Sequence, residues 1–442
     1  MDRHWNNELL TVNIRFIHEN GAALKVALVS DSNALGVMEV RPEPAWRVRL
    51  TYLRTKEMLA PDYGAMHVAA FLKSRGCDLQ VINVIADVHA SADVFAEPNS
   101  EPEEISGAKI GLPQAAEASR SHLFSSLEAM EPGIILFTLS TYNLALYIRR
   151  LLRDVKQANP ESLLVAGGIY ATLHAGEVLL DGHADVVVRG EGELTCLELI
   201  GAIQRGESLE GIEGISFRRG QAITHNPPRK PLENLDSLPH PYTVSEEFRI
   251  PQRFNVLKEL IPFEDYLPGA GFLTSRGCPE SCTFCLDPAI NNGRVRFHSP
   301  AYVKSVLEYC SAHFGGSSFF FGDATFTMNR KRLQRILKLL EGFSYSYQIQ
   351  TRADYLDEET VRDLAARGFT AVAIGAESFN QRILQEVAGK RLSVERVLEA
   401  AESVKRNGMN PVLTFIVGLP GEKRESVLRT VDILKERGLT TA

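Results

Sequence analysis

Apolar positions in the first half of this chain fall into short runs, separated by stretches with helical spacing. Residues 25–30, 79–85, 134–139, 163–166 and 184–188 are runs too short for a buried helix and read as strands. Residues 62–76 put Met66, Ala69, Ala70 and Leu72 on one helical face and end at Gly76, a stop signal. Residues 144–155 form a second amphipathic pattern, and a third helix starts at Leu194. The stretch from 31 to Pro61 reads as irregular, and residues 87–115 as a polar excursion. Strands alternating with helices at this spacing predict an α/β fold with a doubly wound parallel sheet. A hairpin is predicted over residues 212–225, and the proline-dense stretch after it reads as a linker. The expected division is a first domain over residues 1–225, a linker over 226–268 and a second domain over 269–442.

The alternation resumes in the second half. Strands are predicted at residues 318–321, 347–350, 371–374 and 412–417, and helices at 302–313, 331–340, 358–367, 394–406 and 424–437. With a strand end before Cys278 this makes five strand–helix units. Polar groups gather where each strand ends: Asp323 after Gly322, Arg352, Glu377, and Gly418 after Ile416. That is the active face of a partial (β/α) barrel.

Composition narrows the function classes. The chain has 442 residues, 44% hydrophobic and 23% charged, enough for two or three ordinary globular domains. Net charge is −7 without a Lys/Arg cluster, so a nucleic-acid partner is not suggested. The start lacks the apolar core of a signal peptide, and no run reaches transmembrane length. The six cysteines, three of them clustered, do not read as a disulfide framework. A cytoplasmic location with no membrane partner is expected.

The clustered cysteines carry the chemistry. Cys278, Cys282 and Cys285 have the spacing Cys-x-x-x-Cys-x-x-Cys. Three thiolates so close on one loop can hold a soft metal centre. A 4Fe–4S cluster usually takes four cysteines, so three leave one iron open to a small molecule. The other readings are a zinc site completed by a distant ligand such as His298, or three unligated thiols. In the first half, strand ends carry Ser140 and Thr141, then Gly167 and Gly168, where backbone can approach a bulky ligand. The alternative is that the glycine pair only makes a tight strand-to-helix turn. No Gly-x-Gly-x-x-Gly follows the first strand and no Walker lysine appears, so a nicotinamide or nucleoside-triphosphate site is poorly supported.

The cysteine loop, with Phe284 before its last cysteine, resembles that of the radical S-adenosylmethionine superfamily. The later strand ends match that family's pattern in register. The resemblance implies that Asp323 receives the methionine amino group, that Arg352 and Glu377 contact carboxylate and ribose, and that Ile416 and Gly418 hold the adenine. Ala324 and Thr325 would neighbour the cofactor. The family barrel has six units, against five here. Residues 132–193 resemble the cobalamin-binding domain found upstream of many such enzymes, through the third strand, the Gly167-Gly168 turn and Arg189-Gly190-Glu191-Gly192-Glu193. Asn33 stands where classical cobalamin domains carry a cobalt-ligating His; His67 and His174 are the nearest alternatives. Ser140, Thr141, Gly167 and Gly168 would pack against the cobalamin tail.

The resemblance thus implies three cofactors: a 4Fe–4S cluster, S-adenosylmethionine and cobalamin. The implied activity is methylation of an unactivated carbon, or of phosphorus, in a small-molecule or natural-product substrate. It would proceed through a 5′-deoxyadenosyl radical and methylcobalamin, with an electron donor such as flavodoxin or ferredoxin. Oxidation, cyclisation or ring rearrangement is a second reading, and a non-catalytic cobalamin-binding or redox-sensing protein a third. The methylthiotransferases share the loop, but their first domain brings three further cysteines, and here only Cys77 and Cys196 lie in that half.

Overall fold

The computed structural model describes residues 63–77, 133–139, 151–180, 184–220, 222–248, 270–314 and 318–439, scattered positions over 79–128, and four strands before residue 60. Contacts divide the chain into two units. One comprises Pro61–Glu233 and Ser237–Tyr266; the other comprises Met1–Ala60, Asn234–Asp236 and Leu267–Ala442.

The four early strands are β1 (Thr11–Asn13), β2 (Leu24–Ser30), β3 (Ala34–Val40) and β4 (Arg49–Leu53). The expected strand at 25–30 is present as β2, but it pairs antiparallel with β3, which pairs antiparallel with β4. The stretch read as irregular therefore supplies two strands. Only three residues join β2 to β3, and a parallel pair needs a crossover of a dozen or more.

The Pro61–Glu233 unit is built on β5 (Ile134–Thr138), β6 (Leu163–Gly167), β7 (Val186–Val188), β8 (Ile215–Arg219) and β9 (Ala222–His225), in that spatial order. The first three are parallel, and the predicted hairpin adds β8 and β9 antiparallel at the edge. Alternate residues of β6 point into different cores. Leu164 and Ala166 join Leu139, Leu152 and Leu179, while Val165 joins Leu72, Val186, Cys196 and Leu199. Both faces are thus covered, which is why these strands read as continuous apolar runs rather than alternating ones. The helices Tyr63–Ser74 and Gly192–Gln204 confirm two sequence readings. The expected strand at 79–85, the start of the helix over 144–150, and Ser140 and Thr141 lie outside the described residues.

The stretch Arg189 to Glu193 binds the proline-dense segment to its own unit. Arg189 Nη2 donates to the carbonyls of Ile215 (2.9 Å) and Asn226, and Glu191 accepts the Leu232 N–H at 2.9 Å. Residues 226–232 are therefore docked chain rather than free linker.

The second unit carries a six-stranded sheet. Its strands are β10 (Ala270–Phe272), β13 (Ser318–Phe321), β14 (Ser346–Thr351), β15 (Phe369–Glu377) and β16 (Asn410–Ile416), parallel and adjacent in sequence order, with β1 antiparallel against β16. A short antiparallel pair, β11 (Ser275–Arg276) with β12 (Arg296–Phe297), flanks the cysteine loop. The connecting helices Pro300–Phe314, Arg330–Leu340, Glu358–Ala366, Val394–Arg406 and Arg424–Glu436 lie where the periodicity predicts them. Three start on side-chain caps: Asn329, Asp357 and Ser393 each accept an N–H three residues on. Among the described residues, no helix is long and apolar enough to cross a membrane.

Two features of the fold generate tests. Gly168 has φ +93°, and a Cβ there would stand 2.7 Å from the Leu139 carbonyl oxygen. Gly168→Ala should therefore lower the thermal midpoint of the protein by an amount equivalent to about 1–3 kcal/mol. Gly176→Ala, in a helix with open space around it, should be neutral or stabilising by up to about 1 kcal/mol. In the second unit, Asp236 accepts the Ser299 N–H at 2.9 Å and lies 3.1 Å from His298 Nδ1. His298 is 1% exposed and stacks on Tyr302, and burial pushes its pKa down from 6.5 to about 4, against the pull of Asp236. The unfolded chain then binds this proton first, so stability falls as pH drops from 6.5 towards 4, by roughly 3 kcal/mol in total. Urea unfolding at several pH values should show this slope in the wild type and a shallower one in His298→Gln.

Candidate functional site

The cysteine loop begins where β10 ends, and a buried carboxylate fixes its first residues. Asp323 follows β13 and is 0% exposed. Thr274 Oγ1 donates to it at 2.9 Å, the Thr274 N–H at 3.3 Å, and Ser275 Oγ donates as well. Arg332 Nη2 donates to the Thr274 carbonyl at 2.9 Å, with its guanidinium over the Phe297 ring. Burial pushes the Asp323 carboxyl above the usual carboxylate range, opposed by the Arg332 charge and these donors. The sequence expectation gave Asp323 the methionine amino group; in the structure its carboxylate accepts from Thr274 and Ser275.

The loop then makes a crossing that needs glycine. Gly277 has φ +96°, and a Cβ would lie 1.9 Å from the Arg294 carbonyl oxygen. The next residue, Cys278, donates its N–H to Asp287 Oδ2 at 2.7 Å. The Cys285 N–H donates to the Cys282 carbonyl at 3.1 Å, which turns the Cys-x-x-Cys segment. Between these two cysteines, Thr283 donates its N–H to Ala388 O at 3.1 Å and its hydroxyl to Val387 O. Phe284 packs with Ile383, Val387, Ala388, Ile416 and Leu419. Its partners Ile383 and Val387 lie in a π-helical turn, Ile383–Val387, a distortion common at functional sites.

The remaining predicted residues stand at the other strand ends of the same sheet. Arg352 follows β14, is 5% exposed, and places Nη1 3.4 Å from Cys282 Sγ. Glu377 closes β15 with φ +58°, rare for a residue with a side chain. Its carboxylate takes an ion pair from Lys390 at 2.7 Å, with both side chains buried. Ile416 is 1% exposed beneath the loop's Phe284. Gly418 is exposed, with nothing within 4 Å of where a Cβ would stand, and donates its N–H to Glu422 Oε2 at 2.8 Å. Ala324 is exposed, and Thr325 Oγ1 lies 3.6 Å from Cys278 Sγ. Lys390, Thr283 and Glu422 escaped the sequence reading. Lys390 had no strand end to mark it, whereas Glu422, in Gly-Leu-Pro-Gly-Glu, was legible as a loop residue but not as a clamp.

The donor set suits an iron–sulfur cluster. All six cysteines are free thiols. Burial pushes Cys282 up, and pushes Cys285 up to about 11 although the residue is exposed; the neighbouring thiols add to both. Metal ligation removes those protons and relieves that crowding. Among the described residues no three His, Cys, Asp or Glu side chains gather tightly enough for one ion. A structural zinc takes four protein ligands, whereas three thiolates hold a cubane with one iron left open. His298, the distant zinc candidate, is engaged by Asp236.

In the other unit, the two glycines of the turn separate in role. Gly168 is required by its own backbone. Gly167 is not: a Cβ there would meet nothing nearer than 3.9 Å and its φ is ordinary. A Cβ there would make only ordinary contacts with Phe137 and Val188 of the flanking strands. His67 is buried in the helix Tyr63–Ser74, and His174 stacks on Tyr170 with Nδ1 3.2 Å from Glu177. Asn33 lies outside the described residues.

Comparison with known proteins bears on both units. The profile of the radical SAM superfamily matches residues 272–434, and that of the B12 binding domain matches residues 109–200. An uncharacterised methyltransferase of Pyrococcus horikoshii is 30% identical over 330 residues, covering 73% of this chain and 68% of the relative. Cytidylyl-2-hydroxyethylphosphonate methyltransferase of Streptomyces wedmorensis is 23% identical, with 86% and 74% covered. Anaerobic magnesium-protoporphyrin IX monomethyl ester cyclase of Rubrivivax gelatinosus is 26% identical, with 72% and 57% covered. Among solved structures, the radical S-adenosylmethionine methyltransferase TsrM from Kitasatospora setae superposes with a TM-score of 0.63 at 17% identity, covering 86% of this chain and 69% of that one. Three clustered thiols on a parallel-sheet barrel, joined in one chain to a doubly wound B12 binding domain, place this protein in the family of cobalamin-dependent radical S-adenosylmethionine enzymes.

Proposed function

We propose that this enzyme methylates an unactivated carbon, or a phosphorus centre, of a small-molecule substrate. The observation that carries the reading is the pairing, in one chain, of a three-thiol loop with a B12 binding domain. Two relatives named as methyltransferases support it. When bound, the cluster and cobalamin supply radical initiation and methyl relay, chemistry that belongs to the cofactors.

The chain's own share is binding and orientation. Cys278, Cys282 and Cys285 hold the cluster and leave one iron open. Arg352 and Glu377 stand at successive strand ends for the polar groups of S-adenosylmethionine, with Lys390 setting the Glu377 carboxylate. Ile416 and Gly418 offer an apolar floor and a bare backbone edge to a flat base. Asp323 acts one layer below, on Thr274 and Ser275. Ser140, Thr141, Gly167 and Gly168 are assigned to the cobalamin tail. Holding both reactants in place substitutes for a diffusive encounter of short-lived species. A low-potential donor such as flavodoxin or ferredoxin and a cytoplasmic location complete the reading, in keeping with six unbridged cysteines. A second reading, oxidation or cyclisation, draws on the match to the cyclase of Rubrivivax gelatinosus.

Anaerobic reconstitution should load about four irons per chain. Alanine at Cys278, Cys282 and Cys285 together should abolish this, while alanine at Cys77, Cys196 or Cys310 should not; full iron retention in the triple variant would refute the cluster assignment. Each methylation should consume two S-adenosylmethionine molecules, one leaving as S-adenosylhomocysteine, the other as 5′-deoxyadenosine and methionine. Methyl-deuterated S-adenosylmethionine should label the product. Deoxyadenosine and product without S-adenosylhomocysteine would replace methylation by the second reading. Glu377→Gln should weaken S-adenosylmethionine binding roughly tenfold, read by equilibrium dialysis.

A further inference from the structure

The Arg352 guanidinium is committed on three sides. Its Nε and Nη2 form a fork on Asp354, at 3.0 and 2.8 Å, and Nη2 also pairs with Glu280 at 3.3 Å. Glu280 lies between Cys278 and Cys282, and Tyr355 Oη donates to its other oxygen at 3.0 Å. The fork leaves Nη1 aimed at Cys282 Sγ, 3.4 Å away. We infer that Arg352 is a redox-positioning residue: it donates a charge-assisted hydrogen bond to the Cys282 sulfur ligand and raises the reduction potential of the cluster this loop holds.

The physical reason is a charge balance. Adding an electron makes the cluster and its thiolate ligands more negative, and hydrogen bonds to the sulfurs favour that state. Arg352 is buried, so its charge acts in low dielectric. A guanidinium stays protonated throughout the accessible pH range, so Arg352 keeps its charge. Asp354 takes the Nε and Nη2 edge of the guanidinium, while Nη1 meets the sulfur. These bonds hold the planar fork in one orientation, which a lysine cannot reproduce. The inference rests on the cluster assignment and goes beyond it, since a residue serving only S-adenosylmethionine needs no bond to a ligand sulfur.

The test is a redox titration of the reconstituted protein without S-adenosylmethionine, using titanium(III) citrate as a one-electron donor. Each cluster takes one electron as one titanium(III) becomes titanium(IV), and Arg352 keeps its proton. Arg352→Met should shift the oxidised-to-reduced ratio at a fixed potential at least tenfold towards oxidised, about 59 mV for a one-electron couple. Arg352→Lys should fall between the two. The surface variant Arg367→Gln, which loses an exposed pair with Glu341, should match the wild type. Pulsed EPR of the reduced wild-type cluster, with isotopically labelled arginine nitrogens, should show hyperfine coupling to a guanidinium nitrogen; this readout needs no variant to fold. An unchanged potential in Arg352→Met, or no arginine coupling in the wild type, overturns the inference while leaving the cluster assignment standing. A wild-type chain that takes up no cluster overturns both.

Discussion

The second unit depends on one buried carboxylate. Asp323 has no solvent, and an isolated charge there would be costly. It is tolerated because Thr274 and Ser275 surround it with donors and Arg332 supplies the opposing charge. Those donors are the residues that lead into the cysteine loop. The end of β13 is thereby tied to the chain leaving β10, and Cys278 starts from a fixed point. Loss of one partner would leave a buried charge or a set of buried donors unsatisfied, so the arrangement resists partial opening.

From that anchor the loop is held on both flanks. Thr283 and Phe284 fasten it to the π-helical turn and Ala388, and the same segment carries Lys390 to Glu377. Glu280 and Cys282 meet Arg352 on the other flank. Three strand ends thus converge on the thiols through side chains that are mostly buried. Rigidity here has a chemical use, because a cluster with one open iron must present that iron in a single direction.

The Pro61–Glu233 unit solves a different problem. Its parallel strands bury both faces, so ligand space can exist only at the strand ends. Gly168 brings Leu139 against the turn, a contact that only a residue without a side chain allows. The Arg189–Glu193 stretch is spent on fastening the hairpin and the segment after it, so its charges are structural. A sequence match there signals the fold.

The sequence determined much of this. Short apolar runs fixed β5 to β7, because burial on both sides leaves no polar alternation to misread, whereas β14 alternates buried Tyr347 and Ile349 with Gln348 and Gln350. Helical periodicity placed the connecting helices, and the cysteine spacing marked the metal loop, because both are local constraints. What local pattern does not encode is pairing. Residues 25–30 were legible as a strand but not as part of an antiparallel sheet, since direction depends on what the following residues do. Nothing in the local pattern pairs Lys390 with Glu377, 13 residues away. Asp323 was legible as a strand-end carboxylate, but the packing of Thr274 and Ser275 around it was not. Strand ends are visible in sequence; which side of the sheet a carboxylate serves is decided by the neighbours that desolvate it, and those come from 48 and 49 residues away.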